Sequence, residues 1–301
     1  MIAIRRTANS RSGNDKLREM EPILLHGLAA FLYAASAMHL WNTRWRTNDV
    51  TALAPLERAA ILAPLTLHSF LLWNSIFAAE QLRFGFGQAL SATLWIAVAV
   101  YWVESLFLRV EGMQPLVLGL AALCVPLPAI FPGLAMPAYT HSLEFRMHLT
   151  LAMLAYGLFM IAALHALLMT LVERRLHGGA AGARAESGLL GGSLSKLPPL
   201  LTLEALLFRI IGLGFVLLTL TLVTGGGFSE TLFGQAMRFN HKTLFAVISW
   251  LIFGGLLCGR YLYGWRGRVA LRWTLAGFTS LLLAYVGSRF VLEVVLHRQT
   301  G

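Results

Sequence analysis

The sequence predicts an all-α integral membrane protein, a polytopic bundle of eight transmembrane helices. Three observations predict it. Of 301 residues 57% are hydrophobic and only 13% charged, with a mean hydropathy of +0.68, more apolar surface than a soluble core of this length could bury. The apolar residues fall in runs of membrane length, roughly 20 residues at about 1.5 Å rise. The basic residues behind a formal charge of +10 lie mostly between those runs, where the preference of Lys and Arg for cytoplasmic loops accounts for them. The partner implied is therefore the lipid bilayer and not nucleic acid. The two cysteines, Cys124 and Cys258, stand within separate apolar runs at different depths, which excludes a disulfide framework and a CxxC redox pair.

Taken in order, residues 1–19 are polar and basic with no apolar run, and read as a disordered N-terminal extension upstream of a start at Met20. Their removal lowers the formal charge to +7. Residues 20–301 form one polytopic domain, with apolar runs at about 22–41, 59–79, 88–108, 115–131, 147–172, 205–227, 243–263 and 271–292. The fourth, PLVLGLAALCVPLPAIF, is short and carries Pro126 and Pro128. It is predicted to kink or end early, because proline removes a backbone donor and clashes with the preceding turn. Between the fifth and sixth runs, the Gly, Ala and Ser of 173–203 and its Pro198-Pro199 pair read as a flexible cytoplasmic linker.

The seventh run sets the orientation. His241 and Lys242 stand at one mouth and Arg260, Arg266 and Arg268 at the other, so the arginine end is expected in the cytoplasm. With eight crossings, twelve Lys and Arg then lie in or beside the inner loops against five outside. Both termini are expected on the outer side.

Histidine is the informative residue type, since imidazole is a common metal and haem ligand. This topology delivers His148, His241 and His297 to the same outer rim; the plainer reading is imidazoles solvated or bonded to loop carbonyls. His68 and His165 lie inside apolar runs, where an ionisable group is by default a site hypothesis, though a backbone carbonyl would also satisfy a neutral ring. His26, His39, His141 and His177 read as structural. Glu104, Arg209 and Glu204 stand near the cytoplasmic boundary, where snorkelling suffices. Arg289, on the outward half of the last run, needs an anionic partner: a haem propionate or Glu293 one turn later. The eight tryptophans are assigned to packing and to the interfacial belts.

Three stretches carry a family resemblance: MHLTLAMLAYGLFMIAALHALLM at 147–169, LLFRIIGLGFVLLTLTLVTG at 206–225 and HKTLFAVISWLIFGGLLCGRYLYGWRGR at 241–268. With them the chain resembles the cytochrome c assembly family, CcsA-like proteins and more closely the shorter YpjD and HemX-like branch. In haem-delivering members two external histidines ligate haem on either side of a W-G-x-x-W-x-W-D loop. The resemblance matches the first to His148 and the second to His297, which would hold the iron of haem b as axial ligands, with Arg289 near enough for a propionate. The corresponding loop, GGFSETLFGQAMRFNHKT, has no tryptophan or aspartate, and Cys258 stands where some members carry a second, intramembrane histidine. The expectation is a haem-binding, haem-handling protein of the bacterial inner membrane. It would act in cytochrome assembly as an accessory rather than a complete synthase, without enzymatic activity of its own, beside other assembly or membrane proteins. The alternative is a scaffold or accessory subunit of another membrane complex that binds no haem.

Overall fold

The computed structural model describes residues 23–45, 54–77, 82–107, 114–136, 142–176, 200–233 and 241–295. Seven helices in it are long and apolar enough to cross a membrane. They are α1 (Ile23–Thr43), α2 (Pro55–Ile76), α3 (Phe86–Phe107), α6 (Leu143–Leu176), α7 (Leu200–Phe233), α8 (His241–Tyr263) and α9 (Gly267–Val295). The eighth expected crossing is shorter. It consists of α4 (Gln114–Cys124) and a single turn, α5 (Leu127–Ile130).

The break between α4 and α5 follows from proline chemistry. Pro126 and Pro128 have no N–H to leave unpaired in hydrocarbon, and the donors that remain find carbonyls nearby. Val125 donates to Ala121 at 2.9 Å, Ala129 to Pro126 at 3.0 Å and Phe131 to Leu127 at 2.7 Å. Beyond the break the chain turns at Gly133, whose φ of 70° is left-handed and favours glycine. A two-residue strand, β2 (Leu134–Ala135), then pairs antiparallel with β1 (Arg83–Phe84), which directly precedes α3. The short segment therefore returns the chain to the end of the bundle where α3 began. Successive elements keep alternating direction although one of them is not a full-length helix.

Helix α6 is the centre. Of its apolar window 72% is buried, against 22% for α8 and α9, because α7, α3 and α9 all pack on it. Small residues allow the closest approaches, as expected where lipid gives no hydrophobic drive for association. A Cβ on Gly157 would stand 2.2 Å from Ile96 Cγ2, so α3 lies directly on α6. Phe159 stacks on Phe253 of α8 with ring centroids 3.8 Å apart, and the Tyr156 hydroxyl donates to the Leu281 carbonyl of α9 at 2.6 Å.

At one end of the bundle charged pairs tie the helices together. Arg260 donates to Glu204 at 2.6 Å, Arg266 stands 3.7 Å from the same carboxylate, and Arg268 donates to Glu173 at 2.8 Å. Glu204 thus pairs with α8 and the turn after it rather than with Arg209, which is exposed. Also at this end Glu57 bonds the backbone amide of Ala54 at 2.9 Å, closing the start of α2, while its other oxygen meets His39 at 3.2 Å. Residues 173–176 and 200–203, expected to belong to the linker, are helical ends of α6 and α7. The rest of that linker, at 177–199, and the N-terminal 1–19 lie outside the described residues.

Candidate functional site

The opposite end of the bundle gathers the starts of α3, α6 and α8 with the ends of α2, α7 and α9. His148 is the sixth residue of α6 and points at α7, where its Nδ1 lies 3.0 Å from Thr224 Oγ1. The Thr224 hydroxyl is itself placed to donate to the Leu220 carbonyl at 2.8 Å, as helical threonines do. With its one hydrogen turned to the helix, the hydroxyl oxygen is an acceptor for Nδ1–H, and we assign that tautomer to the ring. Nε2 is then the ring nitrogen that carries the lone pair. Gly225 makes room for the ring: a Cβ there would stand 3.1 Å from His148 Cε1.

A second group of polar residues lies at the same end. In α9 the chain passes through π-helical turns at Leu283–Gly287 and Val291–Val295. A π turn holds more residues than an α turn, which offsets the drift of a four-residue spacing and keeps Tyr285, Arg289 and Glu293 on one face. Arg289 lies 5.7 Å from the Tyr285 ring centroid, and Lys242 of α8 lies 5.4 Å from the same ring. Arg289 and Glu293 form a loose ion pair at 3.9 Å, with side chains 12% and 10% exposed. The Arg289 Nε is buried without a hydrogen-bond partner. Two cations thus face one carboxylate, in a setting where unsatisfied donors cost free energy.

Of the sequence-predicted site residues, the structure places His148 and Arg289 at the same end of the bundle, and His241 begins α8 there as an exposed residue. His297 lies outside the described residues. The interior imidazoles belong to separate environments. His68 is bonded on both sides, by the Tyr33 hydroxyl at 3.3 Å and Ser91 Oγ at 2.8 Å, so it is a satisfied core histidine. His165 bonds the Ile161 carbonyl through Nδ1 at 3.0 Å, and its Nε2 is buried without a partner. Three tryptophans also act as packing residues, Trp95, Trp102 and Trp250 donating to Leu65, Arg58 and Thr219 at 3.1, 3.0 and 2.9 Å. Sequence reasoning missed Thr224, Gly225 and Tyr285. Only the four-residue spacing of Tyr285, Arg289 and Glu293 marked any of them.

His148 offers what an iron ligand needs, a ring anchored through Nδ1 with Nε2 as its outer nitrogen. Lys242 and Arg289 supply cations suited to carboxylates. Among the described residues no group of three or more His, Cys, Asp or Glu converges as a metal cage would require.

Fold and rim together define a polytopic α-helical membrane protein with an anchored imidazole and a cation-rich cluster at one end. Residues 58–296 match the family described as cytochrome C assembly protein, and the chain belongs to that family. It is 34% identical over 148 residues to the inner membrane protein YpjD of Escherichia coli K12, covering 49% of this chain and 52% of the relative. Identity is 28% over 176 residues to the cytochrome c biogenesis protein CcsA of Microcystis aeruginosa, covering 47% and 54%. It is also 28% over 217 residues to a 28.8 kDa protein of Azospirillum brasilense, covering 69% and 76%. The chain thus spans about half the length of the first two relatives.

Proposed function

We propose that this protein binds and handles haem at the His148 end of the bundle, as an accessory member of the cytochrome c assembly family. The observation that carries the proposal is the Thr224 bond to His148 Nδ1, which leaves Nε2 as the available nitrogen. Bound there, haem b would supply a redox-active iron that imidazole nitrogens ligate. His148 and His297 would be the residues that hold the iron. Arg289, with Lys242 beside it, would neutralise the propionates, and the anchored ring would fix the orientation of the ligand. The stretch 226–240, which includes the last residues of α7 rather than forming a loop throughout, contains no tryptophan or aspartate, and this favours a handling role over the covalent attachment of haem to a cytochrome. No reaction is assigned to the protein itself. The setting is a bacterial inner membrane, with this end and both termini outward and other assembly proteins as partners.

The test is spectroscopic. Full-length protein produced with ample haem and purified in mild detergent should show a Soret band from b-type haem. His148→Ala or His297→Ala should strip the haem or leave it five-coordinate with a changed visible spectrum, while the helical circular dichroism persists. No Soret absorbance in the wild type would favour a haem-free scaffold. An unchanged spectrum in the double variant would move the site to His165, whose Nε2 is buried without a partner, or to the exposed His241.

A further inference from the structure

The geometry points to a second binding site, independent of the rim imidazole: a slot between α2, α3 and α6 that takes one acyl chain of an anionic phospholipid, with the headgroup phosphate on Arg146. The slot has a volume of about 290 Å³ and an almost wholly apolar lining that includes Trp73, Phe77, Ala92, Trp95 and Met153. It exists because α2 packs on α3 rather than on α6, leaving a gap between α2 and α6. Ala92 in its wall is 6% exposed, while Trp73 and Leu154 at its edge are 61% and 37% exposed. A closed floor and an open side make a groove that a chain can enter laterally from the bilayer.

Arg146 stands at the mouth and decides which lipid. Its guanidinium lies over the ring of Phe77, a lining residue, at 6.0 Å, and its carbonyl accepts from Thr150, another lining residue, at 2.8 Å. Among the described residues no carboxylate pairs with Arg146, and its Nε is buried without a hydrogen-bond partner. A guanidinium at headgroup depth, with donors to spare, is complementary to a phosphate and matches it with paired N–H groups. A net-anionic lipid gains more there than a zwitterionic one, whose amine would face the same cation. With a chain seated, the slot would join α2 to α6 and complete the packing that the helices leave open.

Full-length protein in mild detergent, titrated with phosphatidylglycerol or phosphatidylcholine and read by native mass spectrometry, tests the site. The wild type should retain one phosphatidylglycerol, and Arg146→Gln should lower that occupancy by about tenfold, the scale of one lost charge-assisted contact. Arg146→Lys should retain part of it, and Ala92→Phe, which fills the slot, should remove it. A second reading does not depend on the folding of Ala92→Phe. Brominated phosphatidylglycerol should quench wild-type tryptophan emission more than brominated phosphatidylcholine does, and the difference should vanish when both lining tryptophans are replaced, in Trp73→Phe/Trp95→Phe. Equal retention of both lipids, retention unaffected by Arg146→Gln, or a neutral isoprenoid in place of phospholipid would overturn the proposal. None of these outcomes bears on the Soret test.

Discussion

A threonine one helix away decides which nitrogen of His148 is free. Thr224→Val keeps the shape of that side chain and deletes the acceptor for Nδ1–H, so ring orientation and tautomer are no longer fixed. Partners of this kind are worth about 10–100-fold in metal affinity. The haem-to-protein ratio of Thr224→Val, measured as the pyridine haemochrome, should therefore fall by about tenfold at limiting haem, and Thr224→Ser should restore it. A ratio equal to wild type would show that the bond does not position the ring. His148 was legible in the sequence because an imidazole at the start of an apolar run stands out. Thr224 was not, because it lies 76 residues away and a threonine late in an apolar helix looks like any helical threonine. Arg289 was legible as a buried charge in need of a partner. That Lys242 shares the same tyrosine face required the packing of α8 against α9.

At the scale of helices, the contact between α3 and α6 is the most demanding in the fold. Gly157→Ala places a methyl group where Ile96 already stands, and such overpacking costs about 1–3 kcal/mol. The thermal midpoint of Gly157→Ala in detergent should drop, and adding Ile96→Ala should recover part of the loss although Ile96→Ala alone is destabilising. Additive losses in the double variant would mean that the two side chains do not compete for the same space. Hydrophobic run length located the seven long helices but fell short at the ends of the two longest, predicting 147–172 and 205–227 where the helices are Leu143–Leu176 and Leu200–Phe233. It could not settle the fourth segment, because seventeen apolar residues with two internal prolines satisfy a bent crossing and an early stop alike. What settles it is the pairing of Arg83 with Ala135 and Phe84 with Leu134, a contact of two residues on each side that no periodicity announces.

For the whole molecule, the two ends differ in the charges they carry. At one end Arg260, Arg266 and Arg268 pair with Glu204 and Glu173; at the other are His148, Lys242 and Arg289. The arginine end is expected in the cytoplasm. In a background with Cys124 and Cys258 replaced, Arg266→Cys should react with a membrane-impermeant maleimide only from the cytoplasmic face. Leu143→Cys, at the exposed start of α6, should react only from the outer face. The reverse pattern would invert the protein and put the proposed haem site inside the cell. Basic-residue counts carried this expectation because the chain alternates direction at every element, including the incomplete one.

That incomplete element has a consequence for the lipid around it. α3 has 22 residues, while α4 has only 11 and α5, beyond the proline break, a single turn of 4, so about 33 Å of unbroken helix stands beside about 16 Å. The outward side of α4 is apolar, with Leu116 and Leu123 38% and 71% exposed, so it meets hydrocarbon directly. Acyl chains along that flank face a shorter helical wall than those along α7. Mismatch of this sort costs a fraction of a kcal/mol per Å and is relieved by local thinning or by a partner that covers the short side. The α4 flank is therefore where a neighbouring transmembrane helix would relieve the most bilayer deformation, making hydrocarbon thickness a variable to which any lateral association of this protein should respond.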